Sequence, residues 1–127
     1  MYKNILKISV VLLFVSLLFS FGCKGTVYDI TGQWDFDIIM DDGNVMADTY
    51  SFAGSIESGD VFYNNQRLGS YTVMDRNVNI TLTYYDEDDD YTVETFSGYF
   101  DDKYSMSGNY TLYIEGYGTF PGRWEAQ

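Results

Sequence analysis

From residue 30 onward, apolar side chains recur at every second position and no helical spacing is found. Ile30, Gly32, Trp34, Phe36, Ile38 and Met40 fall on one face, while Thr31, Gln33, Asp35 and Asp37 take the other, the period-2 pattern of a half-buried strand. The alternation returns at Tyr50, Phe52 and Ile56, at Tyr71 and Val73, and at Val78, Ile80, Leu82 and Tyr84. It returns again at Phe96 and Phe100, at Tyr104, Met106, Tyr110 and Leu112, and at Phe120, Trp124 and Ala126. The 13 tyrosines and 9 phenylalanines suit strands, and a single proline opposes them. Seven turn clusters stand between the runs: Asp41-Asp42-Gly43-Asn44, Glu57-Ser58-Gly59-Asp60, Asn64-Asn65-Gln66-Arg67, Asp75-Arg76-Asn77, residues 86–90, Asp101-Asp102-Lys103 and Glu115-Gly116-Tyr117-Gly118. They separate eight strands, and each link is short enough to pair sequence neighbours as an antiparallel meander. A sheet with one apolar face must close on itself or fold into two layers, because an open one leaves that face wet and two edges unpaired.

A repeated phrase favours closure. Apolar-x-Gly-x-apolar occurs five times, at Ile30-Gly32-Trp34, Phe52-Gly54-Ile56, Phe96-Gly98-Phe100, Met106-Gly108-Tyr110 and Phe120-Gly122-Trp124, each glycine falling on the apolar face. Glycine inside a strand costs about 0.5–1 kcal/mol relative to alanine, so five in register call for a geometric cause. Sharp coiling of strands around a small barrel supplies one, with room left for a large ring opposite. The first and last strands then share a phrase because closure makes them neighbours. The expected fold is all-β, an eight-stranded antiparallel up-and-down barrel, with a two-layer β-sandwich as the alternative.

The first residues stand apart from this pattern. Lys3 and Lys7 lie in a positive n-region, and residues 8–21 are apolar apart from Ser9, Ser16 and Ser20, which suits the core of an export signal. A spanning helix needs about 20 apolar residues, and this run ends at Gly22-Cys23-Lys24, so an uncleaved anchor is the minor alternative. Cys23 is the one cysteine, so it has no internal disulfide partner. The stretch Leu17-Leu18-Phe19-Ser20-Phe21-Gly22-Cys23 resembles the lipobox of bacterial lipoproteins, which implies acylation of Cys23 as the first mature residue. Such boxes usually hold Leu three before the cysteine and a small residue two before, where this chain has Ser20 and Phe21. Ser20 and Gly22 also meet the small-x-small rule of ordinary signal cleavage, which would leave a free thiol. The expected division is a lipoprotein signal peptide over 1–22, a lipidated N-terminus and short linker over 23–29, and one barrel domain over 30–127, a length suited to one core.

Charge narrows the partners. The whole chain carries −12, and loss of residues 1–22 would leave 5 basic against 19 acidic residues, a formal −14. Such a surface repels nucleic acid and anionic lipid head groups, so the expected membrane contact is the lipid on Cys23 alone. The implied location is the cell envelope, lipid-anchored and extracytoplasmic. By resemblance to bacterial sorting rules, Lys24 after the cysteine permits the outer membrane.

Gly32-Gln33-Trp34 on the first strand of an eight-stranded meander resembles the lipocalins and the wider calycin group, including avidin-like barrels. In architecture the resemblance spans most of residues 30–126, and it implies a cup that holds a small molecule. It also implies an arginine on or after the last strand packed across the tryptophan, for which Arg123 is the counterpart, although alternation points Arg123 to the face opposite Trp124. The long first loop and terminal helix of lipocalins have no equivalent here, which is closer to the short lipocalin-like domains of bacterial lipoproteins.

Trp34, Tyr50, Tyr71, Tyr84, Tyr104, Tyr110 and Trp124 are the candidate ligand-contacting residues, as large rings on the inner face with phenolic groups to orient a polar atom. The competing reading is that the rings simply fill the barrel. Residues 86–90 form an acidic run whose spacing does not fit an EF-hand, so a solvated hairpin tip without metal is expected. With no histidine, no Gly-x-Ser-x-Gly and no phosphate-binding loop, neither an enzyme nor a cofactor is expected. Two functional readings remain. One is a binding module for a small apolar ligand. The other is an interaction or inhibitor module for an envelope protein, with a filled barrel and with Tyr85, Tyr99 and Tyr113 facing outward.

Overall fold

The computed structural model describes residues 25–127, so the expected signal peptide over 1–22 and Cys23 lie outside the described residues. Eight strands follow in order: β1 (Gly32–Met40), β2 (Val45–Gly54), β3 (Ser58–Tyr63), β4 (Gln66–Met74), β5 (Asn77–Tyr85), β6 (Tyr91–Asp102), β7 (Ser105–Ile114) and β8 (Gly118–Ala126). Each pairs antiparallel with its neighbour in sequence, and β8 returns to β1 to close the barrel. At the seam Ile38 lies opposite Trp124 and Met40 opposite Gly122. The Asp35 and Gln127 backbones exchange hydrogen bonds of 2.9 and 3.0 Å. One continuous ring removes both sheet edges, which a sandwich would keep.

The core is a stack of aromatic rings. Trp124, fully buried, lies parallel to Phe36 at 5.3 Å and edge-on to Phe96 at 5.7 Å. Its cross-strand neighbour is Gly108, which in turn faces Gly98. A methyl group on Gly98 would lie 2.7 Å from the Gly108 Cα and would collide with the Ser107 carbonyl. The two glycines therefore let β6 and β7 approach beside the indole. Gly32 behaves differently: it is exposed, has φ of 108° and touches nothing where a Cβ would stand. The five repeated glycines thus share a sequence phrase without sharing one role.

The end of the barrel where β1 begins is sealed. The Trp34 Nε1 donates to the Ile30 carbonyl at 2.8 Å, and the indole packs edge-on to Phe100. Arg76, in the β4–β5 turn, donates to the Phe100 carbonyl at 2.7 and 3.1 Å and sits 5.5 Å from the Tyr28 ring. The arginine at the tryptophan end is therefore Arg76. Arg123, the counterpart implied by the resemblance, is exposed on the outer face because it alternates with inward Gly122 and Trp124.

Two other expectations are corrected. Tyr104 is 80% exposed in the β6–β7 turn and does not face the interior. There β6 runs to Asp102, whose carboxylate accepts from the Tyr104 amide at 2.7 Å and reverses the chain before Tyr104 can join β7. The Tyr104 amide, followed by the Ser105 hydroxyl, holds the Asp102 carboxyl below its ordinary range. Ile56 leaves the core because the turn falls at residues 55–57, where Tyr71 donates to the Ser55 carbonyl at 2.5 Å.

Candidate functional site

At the opposite end, alternation continues to deliver inward side chains, but no plug is found among the described residues. A mouth of about 650 Å³ remains, walled by Tyr50, Tyr63 and Tyr84, with Met46 and Leu68 as its apolar lining. Leu68 reaches it through an irregularity: Val61 pairs with Gly69 and Phe62 with Arg67, so Leu68 is the extra residue in β4 and turns toward the core. Tyr50 is anchored edge-on to Phe36 at 5.2 Å and tilted against Tyr63 at 5.7 Å.

Within this mouth lies Glu94, a carboxylate only 6% exposed. The inward row of β6 runs Thr92, Glu94, Phe96, so the same period that buries phenylalanine one step deeper buries the acid. Tyr84 donates to one Glu94 oxygen at 2.8 Å and Tyr110 donates to the other from the layer below. Asp48 stands at the rim, 3.4 Å from the Tyr50 hydroxyl.

Burial pushes the Glu94 carboxyl above its ordinary range, and the charge of Asp48 adds to this, while the Tyr110 and Tyr84 hydroxyls partly offset it. The Tyr50, Tyr84 and Tyr110 hydroxyls are pushed well above the usual phenol range, first by burial and then by the Glu94 charge. They stay protonated and act as donors. The arrangement is therefore a ring-walled, acidic cup with its hydroxyl protons already turned toward a carboxylate.

The sequence-derived residues do not form one site. Tyr50 and Tyr84 line the mouth, and Tyr110 supports it from beneath through Glu94. Trp124 lies within the filled core and Tyr71 is tied to the 55–57 turn. Trp34 and Tyr104 meet instead on the outside of the sealed end, in an open hollow of about 430 Å³ with Val27 and Lys103. Glu94, Asp48, Tyr63 and Leu68 were missed. The signal for Glu94 was present, since it occupies an inward position in the alternation of β6, whereas Leu68 depends on a register shift that no period reveals.

The acidic run brings carboxylate oxygens of Asp86, Asp88 and Asp90 within 4.8 Å of one another. One Asp86 oxygen already accepts from the amides of Asp88 and Asp90, at 3.0 and 2.9 Å, and so caps the loop itself. Desolvation, together with Asp86 and Asp88, pushes the Asp90 carboxyl up.

No protein-family model matches the chain, and no curated protein matches it. Solved structures do. EF1p2_mFAP2b bound to DFHBI is similar with a TM-score of 0.62 and 14% identity, over 77% of this chain and 92% of that one. A redesigned beta barrel, b11L5F_LGL, is similar with a TM-score of 0.55 and 13% identity, over 77% of this chain and 90% of that one. At such identities the likeness is one of fold, and the described residues form a closed, all-β, eight-stranded antiparallel barrel.

Proposed function

We propose that this chain is a non-catalytic binding module, exported and lipid-anchored through Cys23 to the extracytoplasmic side of the cell envelope, that takes a small molecule into the Glu94 end of its barrel. The observation that carries the reading is the contrast between the two ends. One is sealed by Trp34, Phe100 and Arg76, while the other keeps about 650 Å³ open above a filled core. Side-chain filling of the whole barrel would have left no such space. The volume is within the roughly 300–1,000 Å³ usual for small-molecule sites. An apolar part of the ligand would lie against Tyr50, Tyr63, Met46 and Leu68. That a barrel of similar fold is described as bound to DFHBI is consistent with this use of the architecture.

Binding is tested by calorimetric titration of the full-length protein with small apolar and aromatic compounds. Heat of binding that is lost when Tyr50→Ala and Tyr63→Ala remove the rings of the apolar wall supports the reading, and no heat with any compound removes it. Anchoring is tested separately by the intact mass of membrane-fraction protein. A mature chain starting at Cys23 with added acyl mass is expected, and an unmodified Cys23 removes the anchor.

A second reading has its own support. Tyr85, Tyr91 and Tyr99 are exposed on the outer face, and the rings of Tyr85 and Tyr91 lie 5.7 Å apart. Tyrosine is enriched in contact surfaces, so this face suits an envelope protein partner. The filled barrel that this reading requires is absent at the mouth.

A further inference from the structure

Among the described residues the buried acid in the mouth has no positive partner. Among the described residues the cations are Arg67, Arg76, Lys103 and Arg123. Arg67 alone reaches the mouth, and its guanidinium is paired with Asp60 at 2.8 Å. Arg76 is committed to the sealed end, Lys103 lies in the turn beside it, and Arg123 is on the outer face. Lining the same cavity as Glu94 are Asp48, Asp86 and Glu87, all of its own sign. Among the described residues, two neutral phenols are the hydrogen-bond partners of its carboxylate.

A carboxylate removed from water is costly unless a charge of the other sign accompanies it. An anionic ligand would meet repulsion from every acid in the cup. A neutral ligand would strip the remaining water from Glu94 and give nothing back. A cation would relieve the desolvation and gain from the ring faces of Tyr50, Tyr63 and Tyr84, which attract positive charge. An inorganic ion would leave the apolar lining of Met46 and Leu68 unused.

Resting on the small-molecule reading above, we propose that the ligand is an organic ammonium, its charged nitrogen held between Glu94 and Asp48 and its apolar body laid against Tyr50, Tyr63, Met46 and Leu68. The tyrosine hydroxyls do not compete for it, because Tyr84 and Tyr110 have already turned their protons to Glu94 and present no free donor that an ammonium would have to displace. Selectivity against the neutral and anionic forms of the same skeleton follows from the sign of the cup.

The test uses the full-length protein in non-ionic detergent and three probes of one skeleton: 2-phenylethylammonium, 2-phenylethanol and 3-phenylpropanoate. Calorimetry is expected to give the ammonium at least about tenfold tighter binding than the alcohol, with the carboxylate weakest. Glu94→Gln is expected to reduce ammonium affinity by about tenfold while changing alcohol affinity by less than about threefold. Asp48→Asn, at the part-exposed rim, is expected to lose about threefold for the ammonium alone, and it decides the matter if the Glu94 variant does not fold. Equal binding of ammonium and alcohol, or an ammonium preference that neither variant reduces, overturns the inference and leaves the small-molecule reading standing. Absence of binding by all three probes overturns both.

Discussion

Tyr110 reaches Glu94 diagonally across the β6–β7 ladder: it is paired with Phe96, two residues deeper, yet its hydroxyl donates to the buried carboxylate above. Tyr84 covers the other oxygen at 2.8 Å from the part-exposed side. Removing the deeper donor by Tyr110→Phe leaves a buried charged oxygen without a partner, an expected cost of about 1.5–3 kcal/mol. Tyr84→Phe should cost less, below about 1.5 kcal/mol, because water can reach that side. Urea unfolding of the two variants with a shared slope gives both values. Equal costs would contradict the asymmetry.

Glu94 also imposes a pH dependence with a definite sign. Its folded carboxyl lies above the ordinary 4.5, so the native state holds this proton more tightly than the unfolded chain does. The associated stability is full below 4.5 and is lost as pH rises through the raised folded value. The melting temperature should therefore fall from mildly acidic to neutral pH, and Glu94→Gln should flatten that slope. Asp102 acts in the opposite sense, its contribution being lost only as pH falls below the ordinary 3.8, outside this window.

Four tyrosines, Tyr50, Tyr71, Tyr84 and Tyr110, are held above the ordinary 10.0, chiefly by burial. Their stabilising contribution is intact below pH 10 and is lost only as pH climbs toward the raised folded values. An ultraviolet titration should show these four ionising only above pH 10, as the barrel unfolds. Ionisation of these four near the ordinary 10.0 with the barrel still folded would contradict their burial.

Gly98 and Gly108 offer a steric test. A methyl group on Gly98 meets backbone, 2.7 Å from the Gly108 Cα, so no side-chain rotation relieves it. Gly98→Ala should destabilise by about 1–3 kcal/mol through separation of β6 from β7. Gly25→Ala, where a Cβ has no neighbour within 4 Å, should stay within about 0.5 kcal/mol. Thermal melts compare the two directly.

The arginine positions separate this barrel from what the Gly-x-Trp resemblance implies. Arg76→Ala removes donors to Phe100 and Asp101 and the contact with Tyr28, an expected loss of about 1–2 kcal/mol after allowing for its partial exposure. Arg123→Ala on the outer face should change stability by less than about 0.5 kcal/mol. The reverse order in chemical denaturation would restore Arg123 to the sealing role.

The meander was legible because strand alternation and turn chemistry are local. Asp41-Asp42-Gly43-Asn44 and residues 86–90 mark the observed turns, and the inward rows of β1 and β5 match their apolar residues, whereas Phe120, on the inward row of β8, is exposed at the barrel end. Misplaced residues cluster where a turn shifts by a few positions. Tyr104 fell outside the barrel because Asp102 captures the backbone first, and Ile56 because the chain reverses at 55–57. Neither capture has a period to betray it.

Eight strands, their facing and their order are consequences of side-chain alternation and short links, both of which act between near neighbours in the chain. Which end is sealed, and what remains in the open one, depends on contacts between residues far apart. Arg76 meets Phe100 across 24 positions, and Tyr110 meets Glu94 across 16. Leu68 turns inward only because β4 slips against β3. An acid on an inward strand position reads as an anomaly in one dimension. Only the closed ring, by bringing two phenols to its carboxylate while Arg67 at the mouth stays paired with Asp60, makes Glu94 the centre of a cup.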